Sequence, residues 1–182
     1  MGILPTGITI DKIEVWFQDE TRIGQQGSLT RIWAIKGTRP RVVRQQQFLS
    51  MYIYGAVCPQ RQVGAAVIMP YANTKCMNQH LAEISTQVME GNYAVVIVDQ
   101  ARWHTANQLI IPNNILLLPL PAYSPELNSQ ENVWQWIKDK YLANRVFSSL
   151  DEIVDAATAA WNKFVENPDL IKSIATRNWA II

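Results

Sequence analysis

Cysteine is scarce in this chain: Cys58 and Cys76 stand far apart, and neither has a His or Cys nearby at ligand spacing. That excludes a disulfide framework, argues against a zinc site and predicts reduced, buried thiols in an intracellular protein. No apolar run approaches the roughly 20 residues needed to span a bilayer, and no basic start followed by an apolar stretch and a cleavage site opens the chain. Repeats, low-complexity tracts and linkers are also missing. Charged residues make up 17% of the chain and hydrophobic ones 48%, which excludes a disordered or fibrous protein. What is left is one globular domain spanning residues 1–182, large enough to fold without staples.

Acid is absent from one whole segment. Between Thr21 and Arg61 there is no Asp or Glu, while Arg22, Arg31, Lys36, Arg39, Arg41, Arg44 and Arg61 fall there. Asp151, Glu152, Asp155, Glu166 and Asp169 give the C-terminal region the opposite bias, so the net charge of +1 conceals a segregated distribution. A basic insertion at about residues 21–46 is the footprint expected for contact with a phosphate backbone, the plain alternative being a solvated loop.

Periodicity supplies the elements. Residues 11–17 alternate as a first strand that stops at Gln18-Asp19-Glu20. Residues 31–36 and 41–45 read as short extended pieces around a Gly37-Thr38-Arg39-Pro40 turn. Residues 48–57 and 62–69 read as a β-hairpin, and 74–90 as a helix ending at Gly91-Asn92. The continuous apolar run 93–98 ends at Asp99 and reads as a strand buried on both faces. A short helix, a buried strand at 115–118 and a proline-rich loop at 119–125 follow. The spacing then predicts a helix over 129–142, with Val133, Ile137 and Tyr141 on one face. A last helix starts at the capping-box spacing Ser149 to Glu152 and runs to about Val165. The fold class is α/β: a mixed central sheet, three antiparallel strands then parallel ones, with helices on both faces.

Three acids stand at expected element ends: Asp19 after the first strand, Asp99 at the tip of the buried strand, and Glu131 at the start of the helix after the proline loop. If the two strands are neighbours, these carboxylates converge. Crowded carboxylates repel and are costly to desolvate unless divalent cations lie between them. Two Mg²⁺ ions about 4 Å apart would suit in-line phosphoryl transfer. Each acid also has an ordinary reading. Asp19 could be a turn residue, Asp99 a strand-end acid, and Glu131 the third helical position of a capping box begun by Asn128.

The motifs sharpen this. Asp99-Gln100-Ala101-Arg102-Trp103-His104 resembles the Asp-Asn-Ala-x-x-His motif of the insertion-sequence branch of the mariner transposase superfamily, with Gln100 in place of Asn. The stretch from Leu118 to Trp134, with Tyr123-Ser124-Pro125-Glu126-Leu127-Asn128 at its centre, is similar to that family's Leu-Pro-Pro-Tyr-Ser-Pro-Asp/Glu-Leu-Asn-Pro-x-Glu-x-x-Trp segment, with Ser129 in place of Pro. Phe17-Gln18-Asp19-Glu20 is similar to its first acidic strand end, and Trp33 to Pro40 to its Trp-x-x-x-Gly-x-x-Pro stretch.

The resemblance covers residues 11–165. It implies a ribonuclease H-like fold and a catalytic, metal-binding triad of Asp19, Asp99 and Glu131 using Mg²⁺ or Mn²⁺. It implies cleavage and strand transfer of element-end DNA, commonly at TA dinucleotides, by a nucleoid-associated, cytoplasmic enzyme. Arg22, Arg31, Lys36, Arg39, Arg41, Arg44, Arg102 and His104 become the expected DNA contacts, His104 lying near the metals. In related transposases an insertion like the one around Trp33 resembles a clamp reaching to a partner subunit or DNA, so a homodimer is expected. The helix-turn-helix modules that family members carry ahead of this domain are not legible before Asp11. Two other readings fit the residues: a non-catalytic DNA-binding or dimerisation module from a truncated transposase, and a ribonuclease H-like nuclease of another role.

Overall fold

The computed structural model describes residues 6–27, 29–104, 106–122 and 124–181. Tyr123 of the proline-loop motif lies outside them. Five strands form one sheet in the order β3-β2-β1-β4-β5. β1 (Ile13–Gly24), β2 (Ser50–Cys58) and β3 (Val63–Met69) are antiparallel neighbours, while β4 (Tyr93–Val98) and β5 (Ile115–Pro119) run parallel to β1. The mixed sheet expected from the pattern is the one present, and the architecture is ribonuclease H-like.

Side chains alternate across this sheet, as period-2 geometry requires, and each face has its own core. Val15, Phe17 and Ile23 join Val57 and Ile97 under three helices: α2 (Ser129–Ile137), α3 (Leu150–Val165) and α4 (Pro168–Ala175). Trp16, Tyr54, Ala56, Val96 and Val98 face the other way, onto Met77, Leu81 and Ile84 of α1 (Thr74–Gln87). Buried Cys58 and Cys76 are free thiols in this second core.

Several expectations need correction. β1 does not stop at Gln18; it continues through Asp19 and Glu20 to Gly24, because β2 pairs with it from Phe17↔Val57 to Gly24↔Ser50. A partner strand overrides the poor strand propensity of the acids. The two extended pieces at 31–36 and 41–45 form no strands; there is a turn with Gly37 at φ 87° and otherwise irregular chain. The short helix after β4 is a single 3₁₀ turn, Arg102–His104. The helix begun at Ser129 gives way after Ile137 to a wider turn, Lys138–Leu142, which Ala143 N–H closes on the Lys138 carbonyl at 2.7 Å. Tyr141 is consequently half-buried against Trp136 rather than in the core, and Leu142 is buried. The pattern also passed over α4, whose cap is Asn167 accepting from Leu170 N–H at 3.1 Å ahead of Pro168.

The segment between β1 and β2 is an arm held near its roots, where the Thr30 N–H donates to the Asn144 side chain and the Thr30 carbonyl accepts from it, both at 3.2 Å. Gln25 is buried, donates to the Phe147 carbonyl at 2.8 Å and accepts from Leu49 N–H at 3.0 Å. Gln45 brackets Phe147 from the other side, donating to its carbonyl and accepting from its N–H, both at 2.7 Å. Between these anchors Trp33, Ile35 and Val43 are exposed, as is Phe48 between Gln45 and β2.

Candidate active site

β1 pairs with β4 only from Ile13↔Tyr93 to Phe17↔Ile97, so beyond Phe17 its flank is open where β4 ends. Asp19 stands two residues further along β1, on the side of Val15 and Phe17, under α2. Asp99 follows the last residue of β4, and Glu131 lies in the first turn of α2. All three line one cleft of about 520 Å³, together with Gln100, Ala101, Asn128 and part of the proline loop. The sequence-predicted triad is thus brought to one place, although Asp19 arrives from within a strand rather than from its end.

Two features hold α2 over this cleft. Asp19 sits opposite Gly55 in the β1–β2 ladder, and a Cβ on Gly55 would stand 2.5 Å from Trp134 Cη2 and 2.9 Å from Gln130 Nε2. Only a glycine lets α2 approach so closely. Buried Asn128 then ties the helix start to β1: its side chain accepts from Gln130 N–H at 3.1 Å and donates to the Gln18 carbonyl at 2.8 Å. It is a helix cap and a tether in one side chain. The Asn128 N–H that a capping-box glutamate would accept from is donated to the Pro125 carbonyl at 2.9 Å. Glu131 is exposed toward the cleft instead. Gln100, standing where the motif has Asn, donates to the Leu120 carbonyl at 3.0 Å and pins the proline loop to the end of β4.

The electrostatics are uneven. Burial, followed by the charges of Glu131, Glu20 and Asp99, pushes the Asp19 carboxyl up to about 8. Asp99 goes the other way: its bond to His104 holds it below the usual carboxylate range, helped by Ala101 N–H. His104 Nδ1 lies 2.7 Å from Asp99 Oδ1, and its Nε2 lies 3.6 Å from Glu20 Oε2. Burial disfavours the charged ring, but these two carboxylates outweigh it and raise His104 to about 9.

His104 was expected to contact DNA; its side chain is fully enclosed, so it meets Asp99 and Glu20 rather than a phosphate. Glu20 was not expected at the site at all. The signal was the Asp-Glu pair inside an alternating strand, which sends adjacent acids to opposite faces, and it was lost when the strand was ended at Gln18.

The donor set suits a hard divalent cation: three carboxylates around one cleft, one of them burdened by burial and like charge that a cation would relieve. Among the described residues no three Asp, Glu, His or Cys side chains form a ready-made cation cage. Arg22, Arg31, Lys36, Arg39, Arg41 and Arg44 are all exposed, Arg22 on β1 and the others along the arm. Arg102 is exposed beside the cleft. Arg61 does not belong to this basic surface, because it pairs with buried Glu14 at 3.0 Å. No helix among the described residues is long and apolar enough to cross a membrane.

Residues 14–154 match the model of a family described as DDE superfamily endonuclease. An uncharacterized protein of Sinorhizobium fredii, y4pE/y4sA, is 51% identical over 129 residues, covering 71% of this chain and 96% of that protein. Among solved structures, the Mos1 transposase paired-end complex with left transposon end aligns with a TM-score of 0.66 at 17% identity, over 89% of this chain and 51% of the other. The Mos1 mariner paired end complex with Mn gives 0.65 at 16% identity, over 88% and 51%. The Mos1 strand transfer complex gives 0.64 at 15%, over 88% and 50%. The chain therefore spans about half the length of these Mos1 chains.

Proposed function

The chain belongs to the DDE superfamily endonucleases, and from that premise we propose that it is a transposase catalytic domain that cuts and joins the DNA ends of a transposable element. The observation carrying this reading is the meeting of Asp19, Asp99 and Glu131 in one cleft, from two parallel strands and a helix laid across them. These three side chains would hold Mg²⁺ or Mn²⁺. When bound, the ions supply activation of the attacking hydroxyl and stabilisation of the leaving oxygen.

The rest of the work belongs to the chain's own residues. Asp19, pushed up to about 8, keeps a proton until a cation takes its place, so the empty site avoids three uncompensated charges. Asp99 offers the cleft its Oδ2, since Oδ1 is occupied by His104 and Ala101. Gln100 and Asn128 fix the two walls. The exposed arginines and lysine of the arm supply sequence-indifferent attraction for duplex phosphates. Two of the Mos1 structures are paired-end complexes, one of them with the left transposon end, which supports element-end DNA as the partner here.

The test is nicking of a supercoiled plasmid bearing the element's terminal repeats, with Mg²⁺ or Mn²⁺ and with a chelator. Metal-dependent nicking is expected. Absence of any nicking would favour a non-catalytic DNA-binding or dimerisation module. Preferential cleavage of an RNA–DNA hybrid would favour a nuclease of another role.

A further inference from the structure

Glu20 and His104 lie beneath the cleft, on the far side of the sheet from Glu131, and neither side chain can reach a substrate. The His104 side chain is 0% exposed and that of Glu20 9%. Both neighbours of His104 Nδ1 are acceptors: Asp99 Oδ1 at 2.7 Å and the Asp99 carbonyl at 3.2 Å. Nδ1 must therefore carry the hydrogen and donate it to Asp99. Asp99 Oδ1 also accepts from Ala101 N–H at 2.9 Å, so this oxygen is engaged twice and Oδ2 is the one left for a cation in the cleft that Asp99 lines. Behind the ring, Nε2 faces Glu20 Oε2 at 3.6 Å, too long for a hydrogen bond, and among the described residues neither of these buried atoms has another hydrogen-bond partner. Glu20 comes from β1, one residue past Asp19, beyond the point where β1 and β4 stop pairing at Phe17↔Ile97. The chain Glu20–His104–Asp99 thus bridges the gap between the strands that carry Asp19 and Asp99, where no ladder bond holds them together.

We propose that Glu20 and His104 are positioning residues that set the orientation of Asp99 for cation binding, with Glu20 acting through the His104 ring. Glu20 fixes the ring, the ring fixes Asp99 Oδ1, and Oδ2 is thereby aimed into the cleft beside Asp19. Partners that orient a metal ligand from behind typically change metal affinity about 10- to 100-fold when removed. Glu20 could instead act by its charge alone, since it lies close enough to Asp19 to raise that carboxyl. The two roles differ in whether the effect passes through His104.

The inference rests on the metal-site reading above, so Asp99→Ala serves as the control. Mn²⁺ binding that survives Asp99→Ala would overturn the metal site itself rather than the positioning chain. The experiment measures Mn²⁺ affinity by electron paramagnetic resonance of the free ion. It compares the wild type, Glu20→Gln, His104→Asn and the double variant, with melting curves to establish folding. An asparagine amide can stand near Nδ1 and donate to Asp99 but cannot reach Glu20.

Glu20→Gln is expected to weaken Mn²⁺ binding about tenfold in the wild-type background and less than about twofold beside His104→Asn, the signature of coupled residues. His104→Asn alone should retain more affinity than His104→Gln, whose longer amide reaches toward Glu20 and leaves Asp99. If His104→Asn does not fold, the same cycle in the His104→Gln background carries the test. Unchanged or tighter binding by Glu20→Gln, or an equal loss in both backgrounds, would overturn the proposal.

Discussion

Asp19 and His104 place opposite demands on the same small volume, and both make the metal-free protein sensitive to pH. A carboxyl raised to about 8 binds more protons folded than unfolded from about pH 4 up to 8. A histidine raised to about 9 does the same between about 6.5 and 9. Stability rises with pH only where the unfolded chain holds more protons. Here the folded chain does above about pH 6.5; below that, buried His80, held down at about 3, acts the opposite way and offsets Asp19. Stability should therefore fall from about pH 6.5 to 9, most steeply up to about pH 8 where the Asp19 and His104 windows overlap. Melting temperatures in chelator across that range should show the decline, and Asp19→Asn should flatten its lower part. A wild-type curve unchanged between about pH 6.5 and 8 would contradict the burial and crowding assigned to Asp19. That Asp19, Asp99 and Glu131 come together at one cleft was legible from motif and spacing. The burial of His104 and the part played by Glu20 were not, because a one-dimensional pattern does not say which acid of an adjacent pair turns inward.

Among the elements, β1 and α2 decide whether a site exists. The end of β1 was misplaced because its polar second half, Gln18 to Arg22, resembles a turn. Its strand state is set by long-range pairing with β2, which local pattern does not carry. The buried strand β4 was easily read, since a continuous apolar run has few other uses. At the start of α2 the spacing offers a capping box as the ordinary alternative for Glu131; Asn128 is the cap, but its N–H goes to the Pro125 carbonyl and Glu131 lines the cleft.

Gly55 offers the element-scale test. Gly55→Ala would put a methyl against Trp134 and force α2 outward, at a cost of about 1–3 kcal/mol for overpacking. Because α2 carries Glu131, nicking should fall far more than this loss of stability explains. A variant destabilised by that amount and still nicking at the wild-type rate would show that the close approach of α2 does not position Glu131.

At the scale of the molecule, basic charge and exposed apolar surface share one arm that is clasped near its roots and uncovered between them. Its basic character was legible in the sequence; its shape was not, since an arm without partner strands leaves no periodic signature. If the arm tracks DNA phosphates, replacing Arg39 and Arg41 with Ala should weaken binding to duplexes of any sequence. The log-log salt dependence should then become shallower by about one to two units. Titrations of a random duplex at several salt concentrations check this, and an unchanged slope would mean that these charges face solvent.

The central claim is that Glu131 serves a metal site rather than its helix, and Glu131→Gln puts it to the test most directly. A glutamine can still serve the helix start, whereas a neutral amide is a far poorer ligand for Mg²⁺ than a carboxylate. Removing one negative charge should also relieve Asp19 in the empty site. Paired measurements on this variant are the melting temperature in chelator and Mn²⁺-dependent nicking of the plasmid bearing the element ends. The expected result is a melting temperature that holds or rises by about a few degrees, with nicking reduced by orders of magnitude. Nicking at the wild-type rate by a folded Glu131→Gln protein would contradict it.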